Sequence, residues 1–113
     1  MSNTGIVQRY VHNPILQPAD MPEPCCAVYN SGVVKTPSGE YIMASRFETL
    51  DKTQKVWVSR SHDGIHFTPD PQPVAFVCRP EDEEEYNETV YLNGQKGALI
   101  GSWYDPRICP VDG

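Results

Sequence analysis

Lys55-Val56-Trp57-Val58-Ser59-Arg60-Ser61-His62-Asp63-Gly64-Ile65-His66-Phe67 is the stretch that decides the fold class. Its first seven residues read as a strand, rich in β-branched and aromatic side chains with the two-residue period of a half-buried surface. The run then meets Asp63-Gly64, a pair that tolerates the positive φ of a tight reversal, and resumes in Ile65-His66-Phe67. A hairpin is expected. Upstream, Gly32-Val33-Val34-Lys35-Thr36 and Tyr41-Ile42-Met43-Ala44-Ser45-Arg46-Phe47 flank Pro37-Ser38-Gly39-Glu40 and predict a second hairpin. Downstream come Val74-Ala75-Phe76-Val77, Thr89-Val90-Tyr91-Leu92 before Asn93-Gly94, Ala98-Leu99-Ile100-Gly101-Ser102-Trp103-Tyr104, and a last run from Arg107 to Gly113. No amphipathic helical stretch interrupts this series, which excludes a βαβ fold and leaves an all-β sandwich, barrel or propeller.

Composition agrees. With 39% apolar and 21% charged residues the chain has a globular mix, and its 11 prolines and 8 glycines are spread between short apolar runs as turns require. Residues 8–24 carry Asn13-Pro14, Gln17-Pro18, Pro22 and Pro24, so residues 1–28 are expected as an extended strap and residues 29–113 as strands of one domain. The acidic run Glu81-Asp82-Glu83-Glu84-Glu85 reads as a solvated loop. A net charge of -6 with scattered basic residues argues against nucleic acid as a partner. The N-terminus has no secretory leader pattern and no apolar run spans a bilayer, so a cytoplasmic location without membrane association is expected. Cys25, Cys26, Cys78 and Cys109 form no CxxC pair and are expected as buried thiols. His62 and His66 are four residues apart, but Asp63-Gly64 between them favours a turn, and no metal is assigned.

Asp112-Gly113 is a hairpin signal only when a strand follows, so the chain is expected to be the first part of a larger all-β protein. The densest polar and aromatic group is Trp103-Tyr104-Asp105-Pro106-Arg107, a carboxylate between an aromatic ring and a guanidinium. Such a group suits sugars, whose C–H faces stack on rings while their hydroxyls pair with Asp and Arg; an Asp–Arg ion pair closing a loop fits the spacing equally well. Tyr29-Asn30-Ser31-Gly32 has the composition of a turn that caps its own backbone. Arg46-Phe47-Glu48 ends a strand with both charges on one face, as a surface ion pair would.

Arg9-Tyr10 with Asn13-Pro14-Ile15-Leu16, then Tyr29-Asn30-Ser31-Gly32, Arg46-Phe47-Glu48, Ser59 to Phe67 and Tyr104-Asp105-Pro106-Arg107, taken in order, resemble glycoside hydrolase family 130, which contains the β-mannoside phosphorylases. The resemblance implies a five-bladed β-propeller, of which this chain would supply the strap and roughly the first two blades, truncated. It implies an inverting phosphorylase that turns a β-mannoside oligosaccharide and inorganic phosphate, the co-substrate, into α-mannose 1-phosphate and a shortened sugar, with no metal or organic cofactor. Asp105 matches the general acid, thought to reach the glycosidic oxygen through the mannose 3-hydroxyl. Asn30, Ser31 and Arg46 match residues of the mannose subsite, and Tyr104 an aromatic beside the acid. Arg107 and Glu48 belong to the same motifs, as further substrate-binding candidates or as braces. The phosphate-binding groups of the family lie mostly in later blades, so the chain alone is expected to be inactive. A hydrolytic β-mannosidase of the same family and a non-catalytic carbohydrate-binding β module are the alternatives, and a homo-oligomer stays open.

Overall fold

The structure is a computed structural model that describes residues 5–75 and 105–111. These residues are all-β apart from one short 3-10 turn at Pro18–Asp20. Four strands, β1 (Cys25–Lys35), β2 (Tyr41–Thr49), β3 (Gln54–Ser61) and β4 (Thr68–Pro69), form one antiparallel open sheet in the order β1-β2-β3-β4. Among the described residues no helix is long and apolar enough to cross a membrane.

The first hairpin forms where the sequence predicts it. Thr36 N–H donates to the Glu40 carbonyl at 2.8 Å, and Gly39 takes φ +91 inside the loop, a conformation that costs glycine nothing. β1, however, begins at Cys25, so the strap is shorter than residues 1–28. Tyr29-Asn30-Ser31-Gly32 is not a turn ahead of the strand but an irregularity within it. The β1–β2 register shifts between Tyr29 and Gly32, and Asn30 takes φ +50.

The second reversal is wider than an Asp-Gly hairpin. The Asp63 carboxylate accepts the amides of Ile65 (2.9 Å) and His66 (2.8 Å), while Ser61 Oγ accepts those of Asp63 and Gly64. Backbone groups satisfied by side chains have no need of a ladder, so pairing with β3 resumes only at Thr68 and Pro69. Ile65-His66-Phe67 is therefore loop rather than strand.

Alternation gives the sheet two chemically different faces. Phe47 and Trp57, both fully buried, stack at 4.7 Å between ring centroids on the face that meets the strap. Met21 completes this core, with Leu16, Cys25 and Val28 packed against it. Burying each large ring contributes about 1.5–3 kcal/mol relative to exposure. Trp57 Nε1 also donates to the Asp70 carbonyl at 2.8 Å, which ties down the chain after β4. The same alternation corrects the expectation for the thiols. Cys25 turns toward the core and is half-buried, whereas Cys26 points outward and is exposed, as is Cys109; Cys78 lies outside the described residues. The opposite face carries Tyr29, Arg46, Glu48 and Gln54, brought side by side by the pairings Tyr29↔Arg46, Arg46↔Val56 and Glu48↔Gln54.

Candidate functional site

The polar face becomes a site because the segment starting at Asp105 lies across β1. Gly32 allows the approach: a Cβ there would stand 3.0 Å from the Pro106 carbonyl oxygen and 3.3 Å from both Arg107 Cα and Ile108 N. Nearby, the left-handed backbone of Asn30, a conformation asparagine adopts more readily than most residues, accompanies a carboxamide that reaches the crossing segment. Asn30 Nδ2 donates to Asp105 Oδ1 at 2.9 Å, across 75 positions of sequence.

Arg46 Nη1 donates to the same oxygen at 3.2 Å. Both donors thus act on Oδ1, and among the described residues Oδ2 receives none. The Asp105 side chain is 45% exposed and that of Arg46 is 18% exposed, so the pair is a partly exposed contact rather than a buried ion pair. Hydrogen bonding from Asn30 first, then from Arg46, holds the Asp105 carboxyl below its ordinary range, with the charges of Arg46 and Arg107 adding to the effect. In this geometry Asp105 is a carboxylate at neutral pH.

Arg46 is itself held from behind. Its guanidinium lies over the Tyr29 ring at 4.9 Å, and its Nε donates to Gln54 Oε1 at 2.8 Å. Gln54 Nε2 donates in turn to Glu48 Oε2 and to the Lys52 carbonyl, each at 3.1 Å. Glu48 also accepts Lys52 Nζ at 3.0 Å and Tyr29 OH at 3.4 Å. Lys52 first, and Gln54 next, keep the Glu48 carboxyl below its ordinary range.

Asn30, Arg46 and Asp105 therefore meet, and Glu48 stands one residue behind them. Glu48 pairs with Lys52 rather than with Arg46. Arg107 does not close a loop onto the Asp105 carboxylate: its Nη1 donates to the carbonyls of Pro106 (2.9 Å) and Asp105 (3.4 Å), bracing the segment's own backbone. Ser31 turns away. Its Oγ meets Ser45 Oγ at 2.7 Å, and Ser45 sits on the core face of β2, opposite Arg46. Beside it is an open hollow of about 500 Å³ lined by Asn13, Ile15, Leu16, Val28, Ser31 and Met43. Tyr104 and Trp103 lie outside the described residues, as do the acidic run 81–85 and the turns at Asn93-Gly94 and Asp112-Gly113. Among the described residues no group of three or more His, Cys, Asp or Glu could hold a metal ion. Gln54 and Tyr29 join the cluster without having stood out as candidates, because only the strand register sets them beside Arg46.

With this geometry in view, one likeness among known proteins bears on the site. The chain is 29% identical over 109 residues to the β-1,4-mannooligosaccharide phosphorylase of Ruminococcus albus. The two are distant homologues. The alignment covers 95% of this chain but 29% of the relative, so the chain spans less than a third of that protein's length. No family model matches the chain.

Proposed function

We propose that this chain forms the mannose-binding part, with the general acid, of an inverting β-mannoside phosphorylase, its four-stranded sheet being one blade of a five-bladed β-propeller. The observation that carries the reading is the convergence of Asn30 and Arg46 on Asp105, since these are three of the residues the family resemblance selects. The phosphorylase likeness over 109 residues supports it independently of the geometry.

Oδ2 of Asp105, which accepts from none of the described residues, is the place for a mannose hydroxyl, with Asn30 and Arg46 steadying the carboxyl from the Oδ1 side. Phosphate attacks the anomeric carbon from the face opposite the leaving group. The new C–O bond gives α-mannose 1-phosphate, and the glycosidic C–O bond breaks as the leaving oxygen takes a proton that Asp105 supplies through the mannose 3-hydroxyl. Asp105 must then be protonated when the substrate is bound. A sugar that covers the carboxyl and expels water favours that state, working against Asn30 and Arg46. Tyr104 would shape the neighbouring subsite, and Arg107 and Glu48 would brace Asp105 and Arg46.

A non-catalytic mannoside-binding role is the second reading, favoured by the ionised state of Asp105. One assay separates the two: the protein encoded by the whole reading frame is incubated with β-1,4-mannobiose and phosphate. Mannose 1-phosphate is the expected product, and Asp105→Asn should lower its rate by at least about 100-fold, the scale of a lost general acid. Free mannose alone would reassign the protein as a hydrolase, and binding without cleavage would favour the binding module. A protein that neither binds nor cleaves the mannoside refutes the sugar reading.

A further inference from the structure

Gln54 is 4% exposed, at the start of β3, opposite Glu48. Its carboxamide has a donor end and an acceptor end, and the surroundings decide which faces Arg46. Two acceptors, Glu48 Oε2 and the Lys52 carbonyl, flank Nε2 at 3.1 Å, so a reversed amide would set oxygen against oxygen at both contacts. Oε1 must therefore face Arg46 Nε, where it accepts at 2.8 Å. A guanidinium is a rigid planar fork, so fixing Nε from one side while the Tyr29 ring supports it at 4.9 Å fixes where Nη1 points. Nη1 points at Asp105 Oδ1, 3.2 Å away.

We propose that Gln54 is a positioning residue of the mannoside site: its buried carboxamide aims the Arg46 guanidinium at one oxygen of Asp105 and so leaves the other open to the sugar. The inference rests on the mannoside reading for what the open oxygen binds, and on the chain's own hydrogen bonds for the coupling. Lys52 and Glu48 are its outer supports, since their acceptor oxygens orient the amide.

The test uses the chain with its aspartate carboxyls labelled with carbon-13, titrated by NMR with and without methyl β-mannoside. In Gln54→Met, which keeps the volume and loses the acceptor, the Asp105 midpoint rises toward that of Arg46→Met, and mannoside affinity falls about five- to tenfold. A residue that only stabilises the sheet would lower the melting temperature and leave the Asp105 midpoint of the folded variant in place. That outcome, or an unchanged affinity for a mannoside that the wild type binds, overturns the proposal. Should Gln54→Met not fold, Gln54→Ala gives the same readout. A wild-type chain that ignores the mannoside while Gln54→Met still moves the Asp105 midpoint would refute the sugar reading and support the coupling of Gln54 to Asp105.

Discussion

Replacing Gly32 by alanine tests whether the segment that carries Asp105 belongs on β1. The added methyl would stand 3.0 Å from the Pro106 carbonyl oxygen and 3.3 Å from Arg107 Cα and Ile108 N. All three are backbone atoms, so no side-chain rotation relieves the contact and the segment must lift. A step of about 0.4 Å brings the closest pair to the 3.4 Å of ordinary contact. The Arg46–Asp105 hydrogen bond is already 3.2 Å long. The same step along it leaves about 3.6 Å, outside hydrogen-bond range, whereas the shorter Asn30 bond only weakens. Because the Phe47–Trp57 core lies on the other face, the sheet should lose less than the roughly 1–3 kcal/mol of an overpacked interior. Carboxyl titration should show Asp105 moving up toward the ordinary aspartate range, with the Asn30 side-chain amide signals shifted and the melting temperature nearly unchanged. The sign follows from linkage: Asp105 is depressed in the folded state, so its hold on β1 is present above the unfolded aspartate value and lost as pH falls through the folded one. Gly32→Ala should weaken that dependence, since the Arg46 bond is lost and the Asn30 bond is lengthened. A variant with wild-type Asp105 titration and unmoved Asn30 amide signals would refute the close approach, and the site with it.

Other perturbations address the supports. Ser31→Ala leaves the fully buried Ser45 hydroxyl without its partner, which should cost about 1–3 kcal/mol in denaturant unfolding, and adding Ser45→Ala should recover most of that loss. Trp57→Ala should cost about 3–5 kcal/mol, since it removes a fully buried ring and releases the Asp70 carbonyl. Asp63 is held well below the ordinary carboxylate range, by His66 first and then by loop amides. Its contribution is complete above the unfolded value near 3.8 and is lost as pH falls below it, so Asp63→Ala should lower the melting temperature at neutral pH and flatten its acid dependence.

The first hairpin was legible because Pro37-Ser38-Gly39-Glu40 interrupts two unbroken β-rich runs. The start of β1 was not. Pro22 and Pro24 suggest a strap that runs on, and Asn30-Ser31 has the composition of a turn; in the structure those residues are an irregularity that a neighbouring strand absorbs. The second reversal is wider than the sequence predicts because an Asp-Gly pair signals the turn but not what the Asp63 carboxylate will bind. That carboxylate occupies the amides that would have started the return strand. At the site, spacing offers Asp105 its neighbour Arg107 and Arg46 its neighbour Glu48 as ion-pair partners, and only the family resemblance groups Asp105 with Arg46 and Asn30. Gln54 was hidden for a stricter reason. Between Thr53 and Lys55 it looks like an ordinary polar residue at a strand end, and its importance exists only once Glu48↔Gln54 pairing sets it behind Arg46.

The charge state of Asp105 links these residues to the proposed chemistry. A carboxyl that accepts from Asn30 and Arg46 is well placed to bind a hydroxyl and poorly placed to give up a proton. Both donors sit on Oδ1, however, so a mannose hydroxyl arriving at Oδ2 need not break either bond. Covering the exposed side of the carboxyl removes water from the charged form while Arg46 continues to stabilise it, and the balance between the two sets how readily the acid is protonated. Gln54 acts on one side of that balance, through the aim of Arg46. In a β-mannoside phosphorylase, loosening Arg46 should therefore raise the upper limb of the pH–rate profile even as it weakens sugar binding. Loss of a purely structural contact would lower both together.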